Sequence, residues 1–271
     1  MKNILQLFGD IVRNRKMLLS LSKSDFKKRF VGSWFGVVWM FVQPLVTIAI
    51  YAIIFGEHGM KTPPPVPGAA YVIWLAPGII PWFYFSEFLN MGTGVLQEYN
   101  YLVKKVVFRV ELLPVIKMLS CLLVHGCFLV ILFGLYLLDG RAPMITWIQI
   151  FYYTFAVSVL TLGLVYITSS IQVFFKDMAQ IVGICLQFGM WLTPIMYDEA
   201  IFTGRHPWVS VFFKLNPFYY IAAGYRDSML TGQWFFERPQ LSLYVWALTL
   251  VILWLGLKVF KKLRPHFSDV L

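Results

Sequence analysis

The feature that most constrains this chain is a series of apolar stretches, each about 20 residues long, that contain almost no charged side chains. A helix of that length crosses the hydrocarbon core of a bilayer. Of the 271 residues, only 13% are charged and 59% are hydrophobic. A water-soluble domain carries about 25% charged residues. The sequence therefore predicts an all-α integral membrane protein and excludes a water-soluble fold.

We expect six transmembrane helices. Residues 1–33 are amphipathic and rich in Lys and Arg, which predicts a cytoplasmic interfacial or gate helix in the headgroup plane. Pro77, Gly78 and Pro81 predict that the second span is kinked or broken. The predicted spans, within a transmembrane domain over residues 34–271, are 34–55, 70–89, 112–138, 144–174, 178–197 and 241–260.

Residues 198–238 contain no apolar run that is long enough to span. Trp208–Phe213 and Phe218–Ala223 are apolar but short, and Asn216-Pro217 between them favours a turn. We predict two short re-entrant helices between spans five and six, in an outer segment that enters the membrane and returns. Because unpaired backbone is costly in lipid, these helices must be buried in protein or line a cavity.

The orientation follows from the distribution of Lys and Arg. Seventeen of them fall on the side of the membrane that holds the N-terminus, and six fall on the other side. The more basic side is cytoplasmic. Six spans return the chain to its starting side, so both termini are predicted to be cytoplasmic. Since topology explains the basic excess, we expect no nucleic-acid partner.

The sequence lacks the motifs of an enzyme. No glycine is followed by lysine, so the chain has no P-loop and cannot hydrolyse ATP by itself. The four histidines and three cysteines are scattered without the spacing of a metal site. We expect no catalytic residue, metal or cofactor in this chain. A transporter with an external energy source fits these absences.

Nine segments, in this order, carry a resemblance to one family: Ser24–Trp39, Pro81–Glu87, Lys104–Phe108, Glu111–Pro114, Phe174–Asp177, Thr193–Tyr197, Leu215–Pro217, Gly224–Arg226 and Phe267–Leu271. They resemble the membrane (permease) subunits of ATP-binding-cassette exporters of lipid-linked cell-surface polymers. That family includes permeases for wall teichoic acid, O-antigen and capsular polysaccharide. Lys214–Tyr220 and Gly224–Leu230 look most like the teichoic acid translocation permease. Arg109 departs from the family, whose members often have proline there.

The resemblance implies a type-2 ABC exporter permease in the cytoplasmic membrane of a bacterium. It implies export of a lipid-pyrophosphate-linked polymer, with wall teichoic acid as the first expectation and O-antigen or capsular polysaccharide as the alternative. The implied partners are two copies of an ATPase subunit that binds ATP and Mg, a second copy of this chain, and an undecaprenyl-type lipid-linked polymer. A membrane-embedded transferase is the rival from another class, but no cytoplasmic catalytic acids support it.

A polar segment over residues 90–111 joins the second and third spans on the cytoplasmic side. The resemblance implies a coupling helix that seats in a groove of the ATPase chain. The alternative is a solvated loop whose basic residues only set the topology. The residues expected to contact the ATPase are Glu98, Tyr99, Tyr101, Leu102, Lys104 and Lys105.

Lys27, Lys28, Arg29 and Ser33 stand where the interfacial helix meets the first span. Their donors and charge suit the phosphate of a lipid-linked polymer at headgroup level. The alternative is membrane anchoring, since each cation contributes about 1 kcal/mol near anionic lipid.

Aromatic residues on the first and fifth spans form another candidate set, because these spans line the pathway in the family. Flat rings can contact a sugar chain and still let it slide. The alternative is packing against lipid, which explains many aromatic residues at span ends. The candidates are Trp39, Tyr51, Phe188, Trp191 and Tyr197.

The outer segment supplies a candidate gate made of Asn216, Pro217, Tyr225 and Arg226. Arg226 is expected to hold the gate shut through a bond to a carbonyl or an acid. Glu87 is a charge close to an apolar span and requires a partner. It either caps a helix end or faces the pathway.

Overall fold

A computed structural model describes residues 2–30, 35–56, 69–104, 108–204, 206 and 208–271. Within these ranges all regular structure is helical. The α-helices are α1 Lys2–Arg13, α2 Arg15–Phe30, α3 Val38–Phe55, α4 Tyr71–Thr93, α5 Val95–Glu98, α6 Asn100–Val103, α7 Leu113–Leu138, α8 Gln149–Phe174, α9 Met178–Leu192, α10 Ala200–Thr203, α11 Trp208–Leu215, α12 Pro217–Arg226, α13 Pro239–Leu263 and α14 Phe267–Val270.

Five helical segments of the described chain are long and apolar enough to cross a membrane, which confirms an all-helical membrane protein. They are built on α3, α4, α7, α8 and α13, at the positions expected for spans one to four and six. Short 3-10 turns extend α7 and α8 at their N-terminal ends. The five segments are Val38–Phe55, Tyr71–Thr93, Val110–Leu138, Ile145–Phe174 and Pro239–Val270.

The fifth expected span is shorter than the sequence predicts. Helix α9 ends at Leu192 after 15 residues, which is about 22 Å at 1.5 Å per residue. Thr193 adopts an extended conformation because Pro194 follows it, and the residue before a proline avoids the helical region. The prediction that this helix reaches Tyr197 is therefore wrong. Residues 193–196 continue as buried non-helical chain.

The second span is not broken. Helix α4 is continuous from Tyr71 to Thr93, although it contains Pro77 and Pro81. Pro77 has no N–H, so the carbonyl of Ile73, four residues earlier, loses its helical donor. The hydroxyl of Tyr136 on α7 donates to that carbonyl at 2.7 Å. A neighbouring side chain thus compensates the proline, as membrane helices allow.

The core of the bundle lies along α4 and α8, which contribute most of the fully buried side chains. Helix α8 packs closely on α13 through two glycines. A β-carbon on Gly256 would collide with the carbonyl oxygen of Gly163, so only small residues permit this approach. Helix α3 differs, because none of its residues is buried. On α9 only Val182 and Leu186 are buried.

The N-terminal segment forms two helices rather than the single helix predicted over residues 1–33. Asn14 separates α1 from α2. On α2, Leu18, Ser22 and Asp25 are buried at intervals of three and four residues, so one face packs against α7. The hydroxyl of Ser22 donates to the carbonyl of Ile116 on α7 at 3.1 Å. Helix α2 is therefore docked on the third span.

Candidate functional site

A cavity of about 530 Å³ lies between the end of α2, the first half of α3, the second half of α4 and α7. It brings together Arg29, predicted as a phosphate ligand, and Trp39, predicted for the pathway. The cavity thus offers a cation, neutral polar groups and aromatic rings. Its polar lining is Arg29, Gln43, Thr47, Ser86, Glu87 and Asn90, and its rings are Trp39, Phe83 and Phe128.

Arg29 lines the cavity and is held by three groups. One guanidinium nitrogen contacts Glu87 Oε1 at 2.6 Å, and the other lies 3.5 Å from Asp25 Oδ2 and 3.1 Å from the sulfur of Cys121. The Arg29 side chain is 10% exposed, so these contacts replace most of its water. Glu87 therefore finds its partner in Arg29, and Arg29 is positioned rather than freely mobile.

Asp25 and Lys117 form a second ion pair behind Arg29. Lys117 Nζ lies 2.7 Å from Asp25 Oδ1, and the two side chains are 3% and 2% exposed. The hydroxyl of Tyr99 donates to the same carboxylate oxygen at 2.6 Å. Burial alone would raise the pKa of Asp25, but the bonds from Lys117 and Tyr99 outweigh it and hold that pKa below its ordinary value. Asp25 is therefore a buried, ionised carboxylate.

These contacts join four parts of the chain. Lys117 also pairs with Glu98 at 2.8 Å, which brings the end of α5 into the set. Burial and the Asp25 carboxylate raise the pKa of Tyr99, so its hydroxyl stays protonated and donates. We call the set the cytoplasmic charge network, after the side of the membrane on which the distribution of Lys and Arg predicts it to lie. Its members are Asp25 and Arg29 on α2, Glu87 on α4, Glu98 and Tyr99 beside α5, and Lys117 on α7.

Of the residues expected to contact an ATPase, some are exposed and others are buried. Tyr99 is buried and belongs to the cytoplasmic charge network, so its side chain is not available to fill a groove on another protein. Tyr101 is 49% exposed, Leu102 is half-buried and Lys104 is exposed. Glu98 is 48% exposed although it pairs with Lys117. Lys105 lies outside the described residues.

The residues expected to bind lipid phosphate are also divided. Lys27 and Lys28 are exposed, and the Lys28 ammonium lies 5.8 Å from the centre of the Tyr99 ring. Arg29 faces the cavity, but Glu87 and Asp25 already contact it. Ser33 lies outside the described residues. Of this set, Arg29 is the member that the structure places in a formed cavity.

The five pathway candidates differ in their exposure and in their contacts. Trp39, Phe188 and Trp191 are more than half exposed, at 56%, 65% and 54%. Tyr51 is half-buried, and its hydroxyl lies 3.9 Å from the sulfur of Met190 on α9. Tyr197 donates to the carbonyl of Trp191 at 2.7 Å. Trp39 is the one that lines the cavity.

Arg226 is held by backbone carbonyls at the end of the bundle opposite the cytoplasmic charge network. Its guanidinium donates to the carbonyls of Pro194, at 2.8 Å, of Ile195, and of Trp74, at 3.3 Å. It also lies over the Trp74 ring, 3.8 Å from the ring centre. A β-carbon at Gly78 would fall 2.7 Å from the guanidinium, so any larger residue there would force the Arg226 side chain to shift. We call this set the outer carbonyl site.

The other gate candidates support the same region. Asn216 accepts a hydrogen bond from the Phe218 N–H at 3.0 Å and so caps α12, with Pro217 as its first residue. Its amide also donates to Thr193 at 2.7 Å. Tyr225 is buried and bonds Thr154 and, at 3.0 Å, His125. The helices predicted near residues 208–213 and 218–223 are present as α11 and α12.

Sequence reasoning missed several residues of these sites. In the sequence, Asp25 stands out only as part of the Ser24–Trp39 motif, and Lys117 only as one of the basic residues that set the topology. Lys117 carried a usable signal, because an ionisable residue inside an apolar span marks a site by default. Cys121 carried no such signal, because its role depends on the hydrogen bond that its sulfur accepts from Arg29, which only the fold brings about. Tyr136 gave no signal without knowledge of the carbonyl that Pro77 leaves open.

Five apolar helices in the described part of the chain, long enough to cross a membrane and packed around a buried charge network, define a multi-pass membrane protein. The chain belongs to the ABC-2 type transporter family, which residues 17–230 match. It is similar to the O-antigen export system permease protein RfbA of Myxococcus xanthus, with 26% identity over 98% of this chain and 99% of that protein.

Two further relatives agree. The O-antigen export system permease protein RfbA of Klebsiella pneumoniae is 24% identical over 94% of this chain and 95% of its own length. The polysialic acid transport protein KpsM of Escherichia coli is 20% identical over 88% and 89%. The expected exporter-permease family is thereby confirmed. These relatives are named for O-antigen and polysialic acid, and not for teichoic acid.

Proposed function

We propose that this chain is the transmembrane subunit of an ATP-driven exporter of a lipid-linked O-antigen or capsular polysaccharide. Similarity to O-antigen permeases along nearly the whole chain supports this substrate class. Wall teichoic acid, which the motifs after residue 214 favoured, becomes the second candidate. We propose a multi-pass location in the bacterial cytoplasmic membrane with both termini on the cytoplasmic side.

The observation that carries this proposal is the cavity between α2, α3 and α4. A lipid-linked saccharide combines phosphate with sugar hydroxyls and apolar ring faces. The cavity offers Arg29 for phosphate and Trp39 for a sugar face. The Nε of Arg29 is buried and has no hydrogen-bond partner among the described residues, so Glu87, Asp25 and Cys121 do not use every donor of the guanidinium. Neutral amides at Gln43 and Asn90 can bond hydroxyls.

Energy is proposed to come from two copies of an ATP-binding-cassette ATPase, which bind ATP and Mg. The exposed Tyr101 and Lys104 and the half-buried Leu102 are the side chains that such a partner can reach. Tyr99, one position away, donates to Asp25 on α2. A displacement of the coupling segment would therefore pull on α2 and on Arg29 at the cavity wall. This contact links ATP hydrolysis to the substrate cavity.

Two copies of this chain are proposed to form the pathway together. Helix α3 has no buried residue, and α9 presents Ile184, Phe188 and Trp191 outward. Cys185 on α9 is exposed and tests the pairing directly. A bifunctional thiol reagent should yield a covalent dimer in membranes, and Cys185→Ser should abolish it. An equal yield of dimer from Cys185→Ser would mean that the reagent links Cys127 rather than Cys185. The contact between the two copies would then not lie at this position of α9.

The principal test is reconstitution of this permease with an ATP-binding-cassette ATPase from the same organism. The ATPase should copurify, and lipid-linked O-antigen should raise its hydrolysis rate severalfold more than lipid-linked teichoic acid. The reverse order would favour teichoic acid. No stimulation by either polymer would reject the exporter proposal.

A second test addresses coupling. Charge reversal at Lys104 and Lys105 should remove the stimulation of ATPase activity and leave the thermal stability of the permease unchanged. Charge reversal at the exposed Lys23 and Lys262 is the matched control on the same predicted membrane side. Unchanged stimulation and transport in the Lys104/Lys105 variant would reject the coupling role.

A further inference from the structure

A second and larger cleft, of about 1150 Å³, lies at the cytoplasmic end of the bundle. It is formed by α1, the chain on both sides of residues 105–107, and the end of α13. It shares no lining residue with the cavity that holds Arg29. We call it the basic cleft. Its charged lining residues are Asp10, Arg13, Lys104, Arg109, Glu111, Lys261 and Arg264.

The basic cleft has a positive surplus that its own carboxylates do not balance. Arg109 pairs with Asp10, and Arg264 pairs with Glu111. These two ion pairs tie the cleft walls together and fix both guanidinium groups. Arg13 and Lys104 are exposed and have no partner among the described residues. Fixed arginines beside unpaired cations are the arrangement that binds an anion.

Two observations place the basic cleft at the level of the lipid headgroups. Leu5, Phe8 and Val12 of α1 are exposed by 70%, 68% and 53%, while Leu7 on the opposite face is buried against the bundle. An apolar face of this kind lies in the boundary between headgroups and acyl chains. The cleft also includes Lys261, in the last turn of a membrane-spanning helix. If α1 lies in this boundary, Arg13 is held at the level of the headgroups.

We propose that the basic cleft binds the phosphate of an anionic lipid headgroup in the cytoplasmic leaflet. Arginine binds phosphate oxygens through paired N–H donors, and lysine adds a point charge. The cleft at headgroup level also includes Lys104 of the coupling segment. A lipid bound there would therefore contact this segment while it moves. The site goes beyond the proposed function, because it does not depend on which polymer is exported.

The headgroup has two sources with the same chemistry. A bulk anionic phospholipid would occupy the cleft permanently and fix the segment. A prenyl pyrophosphate, the lipid class proposed to carry the substrate, would occupy it only on the way to the cavity. Both present phosphate oxygens to Arg13 and Lys104, so the test must compare them.

The test uses the full chain in uncharged detergent. Dioctanoyl phosphatidylglycerol, farnesyl pyrophosphate, dioctanoyl phosphatidylcholine and inorganic pyrophosphate are titrated separately, with dissociation constants from thermophoresis. The test variant is Arg13→Ala with Lys104→Ala. The matched control is Lys23→Ala with Lys262→Ala, which removes the same charge from exposed residues outside the cleft.

We expect the test variant to weaken binding of phosphatidylglycerol or farnesyl pyrophosphate roughly tenfold, and the control to change it less than twofold. The anionic lipid that binds more tightly identifies the source. Equal weakening by both variants would overturn the proposal, since the effect would then be general surface charge. Phosphatidylcholine binding as tightly as phosphatidylglycerol, or inorganic pyrophosphate binding as tightly as either anionic lipid, would also overturn it. Because both variants change exposed residues, matching melting temperatures will verify that they fold.

Discussion

At the predicted cytoplasmic end of the bundle Arg29 lies against two carboxylates, whereas at the opposite end Arg226 lies against backbone carbonyls and the ring of Trp74. Both arginines are largely removed from water. In the cytoplasmic charge network every cation has two anionic neighbours: Lys117 touches Asp25 and Glu98, as Arg29 touches Asp25 and Glu87. The outer carbonyl site has no carboxylate in contact with its arginine among the described residues.

This difference follows from the backbone that each arginine supports. The chain after α9 is buried but not helical, so the carbonyls of Pro194 and Ile195 have no helical donors. Buried irregular backbone in a membrane protein needs such donors, and Arg226 supplies them. The cytoplasmic network instead connects elements that are already helical. Cations shared between two carboxylates can exchange partners, which suits a part that moves. At the outer carbonyl site the hydrogen bonds from Arg226 hold the backbone itself, which suits a segment that stays fixed while those bonds last.

The largest effect is expected at the outer carbonyl site. Arg226→Ala leaves the buried, non-helical carbonyls of Pro194 and Ile195 without their donor, which should lower the free energy of unfolding by about 3 kcal/mol. Thermal unfolding of the purified chain in detergent measures it. Arg238→Ala is the control, because Arg238 is 40% exposed and its ion pair with Asp227 should contribute less than ~1 kcal/mol. Equal losses of unfolding free energy in the two variants would show that the outer carbonyl site contributes no more than an exposed ion pair.

The next effect is expected at Lys117. Lys117→Met leaves the buried Asp25 carboxylate without its main partner and should destabilise the chain by about 3 kcal/mol. Adding Asp25→Asn should restore a large part of that loss, since the uncompensated charge is then gone. The same unfolding measurement gives the coupling between the two residues. Additive losses, with no rescue in the double variant, would show that the two side chains do not depend on each other.

A pH series separates the two regions. The folded-state pKa of Asp25 is depressed, so its stabilising contribution is complete above the ordinary carboxyl pKa of about 4. That contribution is lost as pH falls from this value through the folded-state pKa. The stability difference between the wild-type chain and Asp25→Asn should therefore be constant from pH 7 to about pH 5 and shrink below pH 4. A difference that grows on acidification would contradict an ionised Asp25, while the Arg226→Ala deficit should persist through the same range.

The smallest effect is expected at the proline of the second span. Tyr136→Phe removes the donor to the Ile73 carbonyl and should cost about 1 kcal/mol. Tyr244→Phe is a matched control, because its hydroxyl also donates to a carbonyl, that of Leu215 at 2.9 Å, but is exposed. Tyr136→Phe should lose most of its effect when Pro77→Ala restores the helical N–H. An undiminished effect in that background would show that Tyr136 does not act through the proline.

The extent to which the sequence predicted the sites can be judged from single residues. The requirement that Glu87 have a partner and that Arg226 bond a carbonyl or acid followed from the cost of charge in an apolar segment. The partners themselves did not follow. Arg29 and Glu87 are 58 positions apart, and Lys117 and Asp25 are 92 apart. Tyr99 was expected on the surface because it lies in a polar segment, yet it turns inward to bond Asp25.

By itself the sequence determined the membrane class, the all-helical architecture and the positions of most spans. Hydrophobicity and helical periodicity are properties of neighbouring residues, so they can be seen without a fold. The tertiary structure alone decided that α2 docks on the third span, that α4 runs unbroken through two prolines, and that α9 ends before Pro194. Each of these depends on a donor, acceptor or surface supplied by a distant segment, and only packing brings such groups together.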